Sequence, residues 1–364
     1  MSFSMRFVIL FVLTVIVSFT VTAIFRKLAG HFGWVDHPGP KKIHTRPIAT
    51  LGGIAIFVSY WMMYLIGIPP VNQIADIGPI FISSFVILLT GIIDDRHELK
   101  PWQKMLGILL AANIYYFFTE VRFDHLTIAY LGRIEFSEIG YLAMILWIAG
   151  ITNAVNLMDG LDGLAAGSSI ISLTTMGLVS YVFSISTNVP IVAMTFLLVA
   201  ALIGFLPHNF YPAKIFLGDT GSLFIGFMIA TLSLNGLKHA TFISLLIPVA
   251  ILGVPLTDTL ASIIRRLLNR QAISQKDRGH LHHRLLKLGF NHRQTVLVIY
   301  ALGIIFSLTA MLYPLSSFWG SIILTLGLLF GMILFIASFN LIGKEENSLK
   351  RFLQKIIGSP DKKD

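Results

Sequence analysis

Residues 139–182 read IGYLAMILWIAGITNAVNLMDGLDGLAAGSSIISLTTMGLVSYV, two apolar runs (139–157 and 161–182) that meet at a polar knot. Each run is close to the roughly 20 residues an α-helix needs to cross about 30 Å of hydrocarbon. The knot, NAVNLMDGLDGL (153–164), carries two asparagines, two aspartates and two glycines. Such a stretch reads as a membrane hairpin with chemistry at its tip. Further apolar runs extend outward on both sides, at about 5–26, 50–68, 77–93, 102–119, 189–207, 217–236, 240–267, 294–313 and 317–341. The expected fold is an all-α integral membrane protein, with about eleven transmembrane helices in one bundle over residues 1–343. The connections are too short to hold a separate soluble domain. A tail, 344–364, follows, with an amphipathic stretch SLKRFLQKII that suits an anionic lipid surface.

Composition agrees. Of 364 residues, 55% are hydrophobic and only 12% are charged, and the mean hydropathy is +0.80. The first span runs into Arg26-Lys27 with no small-residue cleavage site behind it, so it reads as a retained anchor. No cysteine is present, which excludes disulfides, cysteine-ligated zinc and thiol chemistry. No internal repeat or low-complexity segment stands out.

The net charge of +9 is a matter of topology. With eleven spans, all but four of the 27 lysines and arginines (Arg6, Arg122, Arg133 and Lys238) fall on one side. By the positive-inside rule that side is cytoplasmic, with the N-terminus outside and the C-terminus inside. The charge is not a nucleic-acid footprint. On the sparse side, VRFDHLTIAYLGRIEF (121–136) alternates apolar and polar residues around Leu131-Gly132-Arg133, and reads as a short extracytoplasmic β-hairpin.

Six acidic residues stand at the ends of apolar segments, where charge is costly: Asp94-Asp95, Asp159, Asp162 and Asp219, with Asp258 nearby. Carboxylates at membrane depth point to function. All three main clusters fall on the basic side of the topology. A transporter would place such groups near the midplane; here they border the cytosol, which favours an enzyme joining a soluble substrate to a lipid. The amides, carboxylates and glycines of 153–164 suit a hard divalent cation with substrate phosphates, although Asp-Gly pairs also serve as turns. If a helix starts near Pro101, Lys104 comes back to the face of Asp94-Asp95. FLGDTGS (216–222) places Asp219 at a glycine-flanked helix start open to phosphate, without the lysine of a P-loop. HLHH (280–283), among Arg278, Arg284 and Lys287, lacks a partner set for zinc and reads as a cationic clamp for a diphosphate. KKIHTR (41–46) adds cations on the same side.

Together, DD-x8-K, NxxNxxDGxDGL, FxGDTGS and HLHH, in this order on one face, resemble the polyprenyl-phosphate N-acetylhexosamine-1-phosphate transferases. The motifs run from about Lys41 to Arg293. DRGHLHHRLLKLG (277–289) is similar to the bacterial type that uses UDP-GlcNAc, rather than the muramoyl-pentapeptide transferases. The resemblance implies transfer of GlcNAc-1-phosphate from UDP-GlcNAc to undecaprenyl phosphate at the cytoplasmic face of a bacterial inner membrane. UMP is released, in the first membrane step of a cell-envelope polysaccharide. It implies Mg²⁺, with Mn²⁺ as a substitute, on Asp219 and Asn156. Asp94, Asp95, Lys104 and Asp159 are implied to be catalytic, the first two orienting or deprotonating the lipid phosphate. Asn209 and Phe216 would hold and stack the uracil, and Asp162 would lie near the nucleotide. His280, His282, His283 and Arg278 would grip the diphosphate. Relatives commonly carry Pro-Arg before Leu-Gly-Gly, whereas residues 47–53 here read PIATLGG. A muramoyl-pentapeptide donor and, from another class, a cation or sugar-nucleotide transporter are the competing readings. The sequence leaves monomer and homodimer open.

Overall fold

The computed structural model describes residues 3–38, 46–68, 74–123, 125–128, 132–183, 189–235, 242–270 and 279–338. Lys41, Lys42, His44, Arg278 and the tail lie outside the described residues. The apolar runs are helices: α1 (Phe3–Phe32), α2 (Gly52–Gly67), α3 (Ile74–His97), α4 (Pro101–Phe118), α5 (Ser137–Met158), α6 (Leu164–Phe183), α7 (Val189–Asn209) and α8 (Gly218–Asn235). They continue as α9 (Phe242–Ile251), α10 (Gly253–Leu268), α11 (Leu281–Lys287), α12 (His292–Leu312) and α13 (Phe318–Ser338). Among the described residues seven helices are long and apolar enough to cross a membrane, and α2 and the body of α8 are shorter apolar helices. The chain is an all-α, multi-pass membrane protein.

Two antiparallel pairs decorate the bundle. β3 (His125–Ile128) and β4 (Gly132–Glu135) form the expected hairpin, with Thr127 opposite Arg133. β1 (Val35–Asp36) and β2 (Ile48–Ala49), unforeseen in the sequence, fold the first loop back after α1.

The run 240–267, expected as one span, is broken. Leu252 leaves helical geometry (φ −89°, ψ 16°) between α9 and α10. Pro248, Gly253 and Pro255 surround it, and a proline that cannot donate to the carbonyl four residues back ends a helix. α10 is then strongly amphipathic. Asp258, Ser262, Arg265 and Arg266 are buried, while Leu260, Ile264, Leu267 and Leu268 are exposed.

The centre of the bundle is α8, whose residues from Thr220 to Leu234 are buried throughout. It packs on α2, α3 and α5. Small residues permit the approach: a Cβ on Gly53 would strike the backbone of Gly221, and one on Gly91 the backbone of Thr220. In a membrane, where lipid is as apolar as leucine, close packing of small residues replaces the hydrophobic drive between helices. α1 packs along α7, where Ser18 donates to the Ala201 carbonyl (2.6 Å) and His208 Nε2 to that of Phe19 (3.1 Å).

Candidate active site

Alternation of the helices brings five segments to one end of the bundle: 33–38 with 46–51, 98–100, 159–163, 210–217 and the stretch around α11. Between them lies a cleft of about 1330 Å³. Asp94, Asp95, Asp159, Asp162, Asn209, Phe216, Asp219 and His283 line it, with Trp34, Arg96, Tyr211 and His292. The β3–β4 hairpin joins the opposite ends of α4 and α5.

Asp95 organises the deepest part. Its Oδ1 accepts the Asp219 N–H (2.8 Å), and its Oδ2 accepts the N–H (3.1 Å) and hydroxyl (2.6 Å) of Thr220. Those are N-terminal amides of α8, which have no intrahelical partner. A carboxylate from α3 therefore caps α8 across the bundle, and the positive end of the helix dipole favours it. Gly218 (φ +72°) makes the turn, and any side chain there would run into Asp95.

Asp94, buried, accepts the Leu99 N–H through Oδ1 (2.8 Å) and pairs with Lys104 through Oδ2 (2.5 Å). The tight α3–α4 connection, turned at Glu98 (φ +47°), makes this possible. Lys104 also reaches Asp219 Oδ2 at 3.0 Å. Asn156, in the last turn of α5, donates Nδ2 to Asp219 Oδ1 and to the Ser222 hydroxyl (2.8 Å). Asp94, Lys104 and Asn156, from α3, α4 and α5, thus gather around the Asp219 carboxylate at the start of α8. Lys104 Nζ bridges the Asp94 and Asp219 carboxylates, two acidic groups served by a single ammonium.

The donors are of the type Mg²⁺ takes, one or two carboxylates plus substrate phosphate oxygens. Asp219 supplies a carboxylate facing the cleft. Asn156 would present its amide oxygen after a half-turn about its last torsion. Among the described residues no three His, Cys, Asp or Glu side chains converge to cage a metal by themselves. A cation here would be completed by substrate.

Asp159 follows the last turn of α5 and makes no side-chain hydrogen bond among the described residues. Burial, then the nearby Asp219, Asp95 and Asp162, holds its carboxyl well above the usual range. Asp162 points the other way, accepting the Ala213 N–H at 3.0 Å. Asn209 is buried and spends both ends of its amide on backbone, accepting from Gly163 N and donating to Ile215 O, each at 3.0 Å. It ties the aspartate loop to the 210–217 segment. Phe216 is half-buried on the cleft wall, its N–H bonded to Ala49 O (2.8 Å).

The three histidines separate. His283 reaches the cleft, whereas His280 and His282 are buried behind it, with parallel rings 5.9 Å apart. His282 packs against the Gly160 backbone. Burial, reinforced by His283, pushes its imidazole down to about 3, so it is neutral at physiological pH.

Sequence reasoning missed several groups. Tyr211 stacks on His292 (4.3 Å between centroids) at the rim, Arg96 lies 5.5 Å over the Trp34 ring, and the Tyr300 hydroxyl donates to Gly163 O (2.5 Å). None sits in a recognisable spacing; each contact is made only by the fold.

Comparison with known proteins shows the family. The model of the family "Glycosyl transferase family 4" matches residues 77–259. A probable undecaprenyl-phosphate N-acetylglucosaminyl 1-phosphate transferase of Bacillus subtilis (strain 168) is 38% identical, covering 97% of each chain. A decaprenyl-phosphate N-acetylglucosaminephosphotransferase of Mycolicibacterium smegmatis is 32% identical over 78% of this chain and 76% of its own. A phospho-N-acetylmuramoyl-pentapeptide-transferase of Lactobacillus gasseri is 31% identical over 80% of this chain and 95% of its own. With a family match across half its length and a relative along nearly all of it, the chain belongs to glycosyl transferase family 4.

Proposed function

We propose that the protein transfers GlcNAc-1-phosphate from UDP-GlcNAc to undecaprenyl phosphate, releasing UMP, at the cytoplasmic face of a bacterial inner membrane. The observation that carries this reading is the cluster of Asp94, Lys104, Asn156 and Asp219 at one end of a membrane bundle, where Asp94 and Asp219 line a cleft roomy enough for a nucleotide sugar. The name of the near full-length Bacillus relative supports the acceptor and the transferred group.

In this reaction an oxygen of the lipid phosphate attacks the β-phosphorus of the donor, and the α–β anhydride bond breaks as UMP leaves. One phosphoanhydride replaces another, so the enzyme works by positioning and charge neutralisation. Lys104, held between two carboxylates, puts a fixed cation beside the reacting phosphates. Asp94 orients the acceptor; a phosphate monoester is already largely ionised at neutral pH and needs little help from a base. Asp95 acts at one remove, holding the start of α8 and hence Asp219. Phe216 offers a ring face to uracil, and His283 a donor to the diphosphate. Asp219 and Asn156 would hold Mg²⁺ (or Mn²⁺), which when bound would offset charge on the diphosphate and on UMP.

The test is incubation of purified protein with undecaprenyl phosphate, Mg²⁺ and a panel of UDP-sugars, following UMP release. UDP-GlcNAc should be turned over fastest. Preference for UDP-MurNAc-pentapeptide would shift the assignment to that reaction, and no lipid-dependent UMP release with any donor would overturn it.

A further inference from the structure

Asp258 takes no part in the cluster described above, yet it is a buried carboxylate in α10 with both oxygens engaged on one target. Its Oδ1 accepts the Leu281 N–H (2.9 Å) and its Oδ2 lies 3.0 Å from His280 Nδ1. Both partners belong to the start of α11. This helix has seven residues, too few to hold an orientation by itself, so tertiary anchors decide where it points. Leu281 and Leu285 are buried beneath it, and Arg284 Nε folds back onto the Gly279 carbonyl (3.0 Å). Asp258 ties the first N–H group of α11 and the histidine before it to a bundle helix through side-chain hydrogen bonds that cross elements.

We propose that Asp258 is a positioning residue, setting the seat of α11 and the tautomer of His280 so that His283 is delivered to the cleft. A carboxylate at Nδ1 requires the proton on that nitrogen, as a bonded acceptor dictates which ring nitrogen is protonated. The ring so fixed stacks parallel to His282, which rests on Gly160 in the aspartate loop and adjoins His283, ring centroids 4.2 Å apart. Any shift at the Asp258 end therefore passes through three packed imidazoles to the cleft wall. The same carboxylate links the histidine segment to α10, whose other face is the exposed apolar row Leu260, Ile264 and Leu267.

The substitution D258N isolates this role. Its remaining oxygen can still accept the Leu281 N–H, while the amide nitrogen confronts His280 Nδ1 and forces the proton off it. The kinetic arm rests on the proposed transfer reaction. There kcat/KM for D258N should fall by about 10- to 100-fold, as for other orienting partners of site histidines. The loss should vanish in an H283Q background, because residues acting through one another are not additive. A second arm needs no activity. In this cysteine-free chain H283C gives one thiol, whose labelling rate by a charged maleimide should change several-fold when D258N is added. If D258N lowers the yield of folded protein, H280N is measured the same way, since asparagine is favoured at a helix N-cap and drops the imidazole. An unchanged labelling rate, or D258N and H283Q effects that simply multiply, would overturn the role of Asp258. Absence of UMP release from the parent protein would overturn the transfer reaction and leave the labelling arm to decide this one.

Discussion

At the scale of single residues, the carboxylate of Asp219 ties α4 and α5 to the start of α8, since Lys104 and Asn156 both bond to it. Asp219→Asn keeps the shape and removes the charge. Turnover should fall below detection while the variant purifies as a folded bundle; near-normal activity at saturating Mg²⁺ would remove Asp219 from the metal site. Phe216 makes a different prediction, because an interaction equal in ground and transition states changes KM rather than kcat. Stacking on a base is worth about 1–3 kcal/mol, so Phe216→Ala should raise KM for UDP-GlcNAc by roughly ten- to a hundred-fold. If Phe216 is only a packing residue, the melting temperature will drop at constant KM. His282 adds a pH dependence. With its folded value near 3 against an ordinary 6.5, the unfolded chain binds a proton in that interval that the native chain does not. Stability therefore falls as pH is lowered from 6.5 towards 3. Thermal melts from pH 7 to 5 should show this decline, with a shallower slope in His282→Asn.

At the scale of elements, the site depends on how closely α3 can lie on α8. Asp94 and Asp95 come from α3, Asp219 opens α8, and Gly91 is the point where a side chain would meet the Thr220 backbone. Backbone cannot yield as a flexible side chain can, so Gly91→Ala should cost about 1–3 kcal/mol by overpacking. It should also pull the α3 carboxylates away from Lys104 and Asp219. A variant that melts and turns over like the parent would show that α3 has room to spare. The helices themselves were legible as apolar runs, since a membrane leaves the backbone few other ways to satisfy its hydrogen bonds. The break at Leu252 was less legible, because apolar residues continue on both sides of it while Pro248, Gly253 and Pro255 act on backbone geometry. A place at the cleft was readable for Asp94, Asp159 and Asp219, whose charge is anomalous in apolar surroundings. The cap formed by Asp95, the buried placing of His280 and His282, and the backbone duties of Asn209 were not readable. Each depends on a partner distant in sequence, and nothing local marks it.

At the scale of the whole molecule, one end of the bundle carries every cleft-lining connection, and the sidedness of that end decides whether the proposed chemistry is feasible. Nucleotide sugars are cytosolic, so the proposed transfer requires the cleft to open there. The distribution of lysine and arginine argues for it: Arg96, Lys104, Lys214, Arg265 and Arg266 belong to the cleft end, and Arg122 and Arg133 to the hairpin end. Basic residues resist translocation, which is the basis of the positive-inside rule. Because the chain has no cysteine, single thiols report sidedness without background. Lys287 at the end of α11 and Glu135 in β4 are both exposed, so neither substitution disturbs packing. In intact cells an impermeant maleimide should label E135C and spare K287C, and permeabilisation should make K287C reactive. The opposite pattern would place the cleft outside, away from its donor, and the transfer reaction would then have to be abandoned even if the fold stood unchanged.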